Sequence, residues 1–114
     1  MNQVAVVKDD VNYNLYLEKG QYKSNGRIYL ALMFFDEEDK DYHIWDDLTI
    51  NLDGLDIEND NIIFVNGDIP EYILEQLEDI NLISYLDTVQ YNYGRYKKYQ
   101  LNEDILDYIL ESKA

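Results

Sequence analysis

The chain has 114 residues, 46% of them hydrophobic, and carries a net charge of −15 because 24 carboxylates oppose nine bases. With twelve tyrosines, three phenylalanines and one tryptophan, it is too apolar for a disordered acidic chain, so we expect one folded domain over residues 1–114. The absence of cysteine excludes disulfides, thiolate metal sites and a cysteine nucleophile, and the negative charge opposes direct binding to nucleic acid or to an anionic membrane.

Neither a secretion signal nor a membrane span is predicted. The first ten residues contain an apolar run of only four, with no basic region ahead of it. No window approaches the roughly eighteen consecutive apolar residues that a membrane-spanning helix needs. We therefore expect a cytoplasmic protein.

Three strands are predicted in the first half of the chain. Apolar and polar residues alternate over 12–18, which is typical of a half-buried strand. The nearly continuous apolar run over 27–35 predicts a central strand that forms a hairpin with the first. An exposed acidic turn over 36–41 follows. A third strand is expected over 42–52, with a kink or bulge at Asp46 and Asp47.

A short strand over 62–65 is followed by a predicted helix at about 69–80. Asp68 is the expected N-cap and Pro70 lies in the first turn. On a helical wheel of about 100° per residue, one face is apolar and the other acidic. The apolar face consists of Ile69, Ile73, Leu74, Leu77 and Ile80.

The last quarter of the chain predicts a second hairpin and a second helix. Strands over 84–92 and 95–101 meet at a turn around Asn92 and Gly94. Asn102 caps a predicted helix at about 103–112, with Ile105, Leu106, Ile109 and Leu110 as its buried stripe. The element order indicates an α+β domain with a mostly antiparallel sheet of about five to six strands and two amphipathic helices.

Negative charge is concentrated in the middle of the chain. Between Asp36 and Asp87 there are seventeen carboxylates and one base, whereas the remainder holds seven carboxylates and eight bases. We interpret this region as a partner-binding surface with Tyr42, Trp45 and Tyr72 as aromatic anchors. Its predicted acidic residues are Asp36, Glu37, Glu38, Asp39, Asp41, Asp46, Asp47, Glu71, Glu75, Glu78 and Asp79.

The predicted acidic helix face resembles the charge density of DNA. Four carboxylates from Glu71 to Asp79 span about 12 Å of helix, one per ~3 Å, against ~3.4 Å per charge along one DNA strand. Like charges at this spacing cost a helix a few tenths of a kcal/mol each. The alternative interpretation is a solvated face that only improves solubility.

No catalytic, cofactor or metal site is predicted. Neighbouring carboxylates such as Asp46 and Asp47 point to opposite faces of a regular strand, so they do not converge on one bond. The only histidine, His43, lacks a second histidine or a cysteine to complete a metal site, and we interpret it as a strand residue beside Trp45. The acidic loops do not have EF-hand spacing, although weak cation binding there stays open. All five glycines are single, so no glycine-rich phosphate loop is present.

A small basic cluster interrupts the acidic pattern near the C-terminus. It consists of Arg95, Lys97 and Lys98, interleaved with tyrosines in the manner of a small nucleic-acid patch. Because the net charge is −15, we expect these bases either to pair with the protein's own acids or to lie on an edge strand, where lysine blocks pairing between sheets.

Residues from Leu48 onward resemble a family of small uncharacterised proteins carried by conjugative plasmids, integrative elements and phages of Gram-positive bacteria. The matching positions are Ile50-Asn51-Leu52, Phe64-Val65-Asn66, Pro70, Asn81-Leu82, and Tyr96 with Tyr99. The chain departs from that pattern in lacking cysteine and in its predicted last helix. The resemblance implies a mobile-element origin and an α+β domain, and it carries no established activity.

Together these features predict a non-enzymatic acidic binding protein. Elements of this kind meet restriction enzymes and CRISPR effectors, whose nucleic-acid channels are basic. An acidic domain could occupy such a channel as a DNA mimic. The alternative is an accessory interaction module in conjugation or phage assembly that forms a homodimer through a strand edge.

Overall fold

The computed structural model describes residues 4–8 and 10–110. It contains two β-sheets, one α-helix and one short 3-10 helix. The helices are α1, Glu71–Asp79, and the 3-10 helix Glu103–Tyr108. The strands are β1 Val4–Lys8, β2 Val11–Gln21, β3 Ile28–Asp36, β4 Asp41–Asp47, β5 Thr49–Ile50, β6 Ile62–Val65, β7 Ile83–Tyr91, β8 Gly94–Leu101 and β9 Ile109–Leu110.

The first sheet consists of five strands around β2 and β3. Residues 11–15 of β2 pair with β1, and residues 16–21 pair with β3; both pairings are antiparallel. The predicted hairpin between these two strands is therefore confirmed. On its other edge β3 pairs with β4, while β9 pairs in parallel with β2 at Leu17 and Glu18.

The second sheet has the order β5-β6-β8-β7 and is antiparallel throughout. The predicted short strand and the predicted second hairpin both lie in it, as β6 and as β7 with β8. All four residues of β6 are buried, which explains why this strand is continuously apolar. β7 is an edge strand of this sheet.

Leu48 joins the two sheets and divides the predicted third strand. Its backbone N–H donates to Leu30 of the first sheet, and its carbonyl accepts from Asn66, which directly follows β6 of the second. The strand expected over 42–52 is therefore two strands, β4 and β5, in different sheets. The expected bulge is confirmed: the register with β3 shifts at Trp45, one residue before the aspartates.

One hydrophobic core is enclosed by the two sheets and α1. The leucines of β2 and β3 meet apolar side chains of the second sheet, and the buried face of α1 packs onto both. Leu48 and Leu82 are fully buried in the same cluster. Prominent members of this core are Leu15, Leu17, Leu30, Leu32, Ile63, Val65, Ile73, Leu74, Leu77 and Tyr99.

The predicted α+β class with two helices and five to six strands is wrong, because the chain is mostly β with sheets of five and four strands. The helix expected over 103–112 is a 3-10 helix that ends at Tyr108 and is followed by β9. Ile109 and Leu110 pair with the backbone of β2, and such tertiary pairing overrides a helical pattern of apolar residues. Residues 111 and 112 lie outside the described residues. Strand β1 was not predicted.

The first predicted helix is confirmed but is shorter than expected. It begins at Glu71, and Pro70 occupies the N-cap position without any side-chain cap, so the expected cap by Asp68 is wrong. Pro70 has extended backbone angles, and the preceding residues form a turn in which Asn66 accepts hydrogen bonds from Asp68 and Ile69. Ile80 is 38% exposed rather than buried.

No helix in the described ranges is long and apolar enough to cross a membrane.

Candidate functional site

The densest run of carboxylates lies at the turn between β3 and β4. Asp36 accepts the backbone N–H of Glu38 at 2.9 Å, and Asp39 accepts that of Asp41 at 3.1 Å. Lys40 has a φ of 59°, and its amine contacts Glu37 at 3.1 Å. Short acidic side chains that accept nearby backbone N–H groups favour tight turns, so part of this acidic run stabilises the hairpin itself.

His43 lies against this turn and contacts two of its aspartates. Its Nε2 forms a hydrogen bond with Asp39 and lies 3.9 Å from Asp36. The pKa of His43 is raised, mainly because Asp39 accepts this hydrogen bond and also because Asp36 and Asp41 are negatively charged. One ligand atom from each of Asp36, Asp39 and His43 lies within 4.8 Å of the others. These three donors are fewer than the six to eight oxygens that calcium takes.

The predicted anchors Tyr42 and Trp45 contact other aromatic rings of the first sheet. The ring of Tyr42 lies 5.2 Å from Tyr16 and 5.1 Å from Phe35. Trp45 lies 4.7 Å from Tyr13, and 6.2 Å from Phe34. Both anchors are half-buried. Their side chains therefore support the neighbouring rings and keep part of their own surface exposed to solvent.

The remaining anchor and Asp47 of β4 also have internal contacts. Tyr72 is half-buried and packs against the core. Asp47 accepts a hydrogen bond from the hydroxyl of Tyr29, and burial together with this bond raises the pKa of Tyr29. Asp46 is half-buried. This part of β4 is thus less available to a partner than the turn before it.

The four acidic residues of α1 are all exposed, but two of them interact with β8. Glu71 binds the amine of Lys97 at 2.6 Å. Burial of Tyr99 raises its pKa, and the neighbouring charge of Glu78 raises it further. Among the described contacts, none is a hydrogen bond or ion pair of the Glu75 or Asp79 side chain. These two carboxylates point to solvent.

The basic cluster is largely neutralised within the protein. Lys97 pairs with Glu71, and Lys98 contacts Glu58 at 2.6 Å; this pairing lowers the pKa of Glu58. The first of the two predicted explanations is confirmed for these lysines. The second is wrong, because β8 lies between β6 and β7 and is not an edge strand.

A cleft of about 610 Å³ opens beside the acidic turn. The antiparallel pairing of β2 with β3 ends at Tyr16 and Met33. The cleft lies beyond this pair, toward the start of β2 and the end of β3. It is lined by residues 12–14, Tyr16 and residues 34–38. Sequence reasoning missed it, because its two sides are about twenty residues apart in the chain. The only signal was that one segment contains Tyr13 and Tyr16 and the other contains two phenylalanines followed by three carboxylates.

The structure places nine of the eleven predicted acidic residues in two groups, and the other two, Asp46 and Asp47, lie at the end of β4. Asp36 to Asp41 lie at the hairpin, with His43 beside them, and the second group lies on α1, where Glu71 pairs with Lys97 of β8. No ion pair or hydrogen bond in the described part of the chain joins one group to the other.

Comparison of the chain with models of protein families, with curated proteins and with solved structures gives no match. The resemblance to proteins of mobile elements consequently stays a prediction from the residues quoted above. A fold by itself does not imply an activity, so function depends on the surface chemistry of this chain.

Proposed function

We propose that the chain is a non-enzymatic acidic protein-binding domain of a phage or mobile element that mimics DNA and inhibits a host nuclease of the restriction or CRISPR type. One observation carries the proposal. Of the eleven predicted acidic residues, nine are exposed, and only Asp36 and Asp46 are half-buried. A basic protein surface can therefore reach most of these side chains.

The charge on α1 supports the same proposal. Glu71, Glu75 and Glu78 follow one another at spacings of three and four residues, where like charges repel and destabilise a helix. Only Glu71 among these three has a described basic partner. The charges of Glu75 and Glu78 therefore do not stabilise the helix, whereas binding to a basic partner would account for them.

The partner is expected to be a basic nucleic-acid-binding channel. Such channels hold Lys and Arg side chains that contact phosphates. Complementary charge speeds the association of two proteins and makes it sensitive to salt. The protein would act in the cytoplasm, where these nucleases meet incoming DNA.

An inhibition assay with nucleases of the native host tests this function. We expect DNA cleavage to be inhibited at low salt, and inhibition to weaken at least tenfold in a Glu75→Lys, Asp79→Lys variant, since close charge pairs at interfaces contribute a few kcal/mol. A matched control is Asp56→Lys with Asp60→Lys, which makes the same change in net charge at an exposed loop outside both groups.

Circular dichroism should show the same fold in both variants. If the unmodified protein neither binds nor inhibits any of these nucleases at low salt, the proposal fails. If the two variants lost inhibition equally, net charge alone would explain the inhibition. That result would contradict a defined acidic surface.

The second candidate function is an accessory module of conjugation or phage assembly that self-associates through a strand edge. The observation in its favour is β7, a nine-residue edge strand on which Tyr85 is 51% exposed and Leu86 is 47% exposed. Exposed edges of this kind are templates for pairing with another chain.

Light scattering over a range of concentrations tests the alternative. The alternative predicts the mass of a homodimer for the unmodified protein and the mass of a monomer for a Leu86→Lys variant. A monomer at every concentration would contradict it. Leu86 lies at a register shift between β7 and β8, so the substitution does not interrupt the regular part of that ladder.

A further inference from the structure

We propose that the cleft beside the acidic turn binds an arginine side chain that a partner protein presents on an extended segment. The inference rests on the proposed function in one respect, which is that the partner is basic. It adds a location on this chain and a residue type on the partner. Both can be tested without the partner being identified.

The lining of the cleft has the chemistry that recognises a guanidinium group. Aromatic rings come from both sides, and carboxylates come from the acidic turn at one end. None of the described lining residues is basic. A guanidinium is planar, so it can stack on an aromatic ring and also donate two parallel hydrogen bonds to one carboxylate. A lysine ammonium is a point charge that lacks this flat, paired geometry. The rings are Tyr13, Tyr16, Phe34 and Phe35.

These rings are held in place before any ligand arrives. Trp45 packs against Tyr13 and Phe34 on one side of the first sheet. Tyr42 makes edge-to-face contacts with the other two rings. A site whose side chains are already fixed loses less conformational entropy on binding. This gives Tyr42 and Trp45 a positioning role in the cleft.

The carboxylates of the turn differ in how available they are. Asp36 already accepts the backbone N–H of Glu38. Glu37 pairs with Lys40, but these two side chains are 80% and 71% exposed, and ion pairs as exposed as this one contribute little. Among the described contacts, the Glu38 side chain has no hydrogen bond or ion pair. Glu38 is therefore the first carboxylate expected to contact the guanidinium, and Glu37 the second.

The size and polarity of the cleft indicate that its ligand is longer than a free amino acid. A volume of about 610 Å³ is in the range of sites that enclose a drug-sized molecule, so a residue on each side of the arginine also fits. Asn12 and Asn14 line the cleft, and their amides can both donate to and accept from a peptide backbone. Three carboxylates in the lining exclude phosphate-bearing ligands.

Two synthetic peptides of alternating glycine and either arginine or lysine test the inference, with binding followed by amide NMR shifts of the full chain at 150 mM salt. We expect the arginine peptide to bind about tenfold more tightly than the lysine peptide. Shifts should be confined to the cleft. A Phe35→Leu variant should lose the preference for arginine while still binding both peptides through charge.

A Glu38→Gln variant, with Glu75→Gln on α1 as its matched control, tests the carboxylate. Losing one charged hydrogen-bond partner should weaken binding of the arginine peptide about threefold to tenfold, and the control should change it less than about twofold. Equal affinity for the two peptides, or shifts that extend over α1, would overturn the inference, because both outcomes describe attraction by charge alone.

The two proposals fail in different ways. If the protein inhibits a host nuclease and Glu38→Gln and Phe35→Leu leave inhibition unchanged, the arginine cleft is wrong and the proposed function stands. If no nuclease is inhibited while the arginine peptide binds in the cleft, the proposed function is wrong and the cleft stands.

Discussion

Single polar side chains set much of the local structure around the acidic turn and the junction of the sheets. Asp36 and Asp39 each bind a backbone N–H of the turn, and His43 and Thr49 bind groups from other segments. Two of these residues give predictions that single substitutions can check.

The first residue-scale prediction concerns His43. We expect its imidazole to titrate above the ordinary value of 6.5, since Asp39 accepts its hydrogen bond. Because the folded-state pKa is the higher one, this contribution to stability is fully present below pH 6.5 and is lost as pH rises through the folded-state pKa. The measurement is an NMR titration of the ring protons.

An Asp39→Asn variant should lower the titration midpoint of His43, and a Glu75→Gln variant, which removes one charge from α1, should change it much less. A midpoint at or below 6.5 in the unmodified protein would contradict the hydrogen bond with Asp39.

The second prediction concerns Thr49, the buried polar residue of β5. Its hydroxyl accepts the backbone N–H of Leu30 at 3.2 Å and lies 2.8 Å from the hydroxyl of Tyr22. A Thr49→Val variant should lower the free energy of unfolding by about 1–3 kcal/mol, since the buried N–H loses its acceptor. Urea denaturation measures this loss.

Tyr22→Phe is the matched control, because it leaves the bond between Thr49 and Leu30 intact. It should cost only about 0.5–1.5 kcal/mol. A larger loss from this control than from Thr49→Val would show that the Leu30 interaction contributes less than we infer.

At the scale of elements, the short connection between β4 and β5 determines how the sheets are arranged. Leu48 makes backbone hydrogen bonds to both sheets, and its side chain is fully buried between them. Strands β1 to β4 before it belong to the first sheet and strands β5 to β8 after it to the second, while β9 returns to the first. This residue thus links β4 to β5, and the hydroxyl of Thr49 beside it adds a bond between β5 and Leu30 of the first sheet.

Leu48→Ala should therefore lower the free energy of unfolding by about 2–5 kcal/mol, the usual range for a buried leucine. Leu86→Ala makes the same chemical change on the exposed face of β7 and should cost less than about 1 kcal/mol. Chemical denaturation of both variants measures the difference. Similar losses would contradict a special role for the junction.

At the scale of the whole molecule, the net charge of −15 repels itself. Described ion pairs with lysine involve only Glu37, Glu58 and Glu71, so most carboxylates add to the repulsion. Salt screens repulsion between exposed charges, with a Debye length of about 30 Å at 0.01 M and about 10 Å at 0.1 M.

We therefore expect the Tm to rise when sodium chloride is increased from about 0.01 M to about 0.1 M. A Glu75→Gln, Asp79→Asn variant, which carries two fewer charges, should show a smaller rise. Thermal unfolding by circular dichroism measures both. A Tm that falls with salt would mean that the described ion pairs outweigh the repulsion.

Local pattern was sufficient for several elements. Alternation and turn residues identified β2 with β3 and β7 with β8, and the apolar face of α1 identified the helix. Local pattern failed for β1, whose apolar run is too short to be distinctive, and for β9, where apolar residues at helical spacing pair with β2 instead. It also failed for the cleft, which is formed by residues from two distant segments.

The sequence by itself determined the charge, its concentration between Asp36 and Asp87, the lack of cysteine chemistry and the local hairpins, because these depend on composition or on neighbouring residues. Only the tertiary structure decided that Leu48 divides the expected third strand between two sheets. It also decided that Glu71 and Asp39 have partners while Glu75 points to solvent. Such pairings depend on which distant residues meet when the core closes, and no local pattern contains that information.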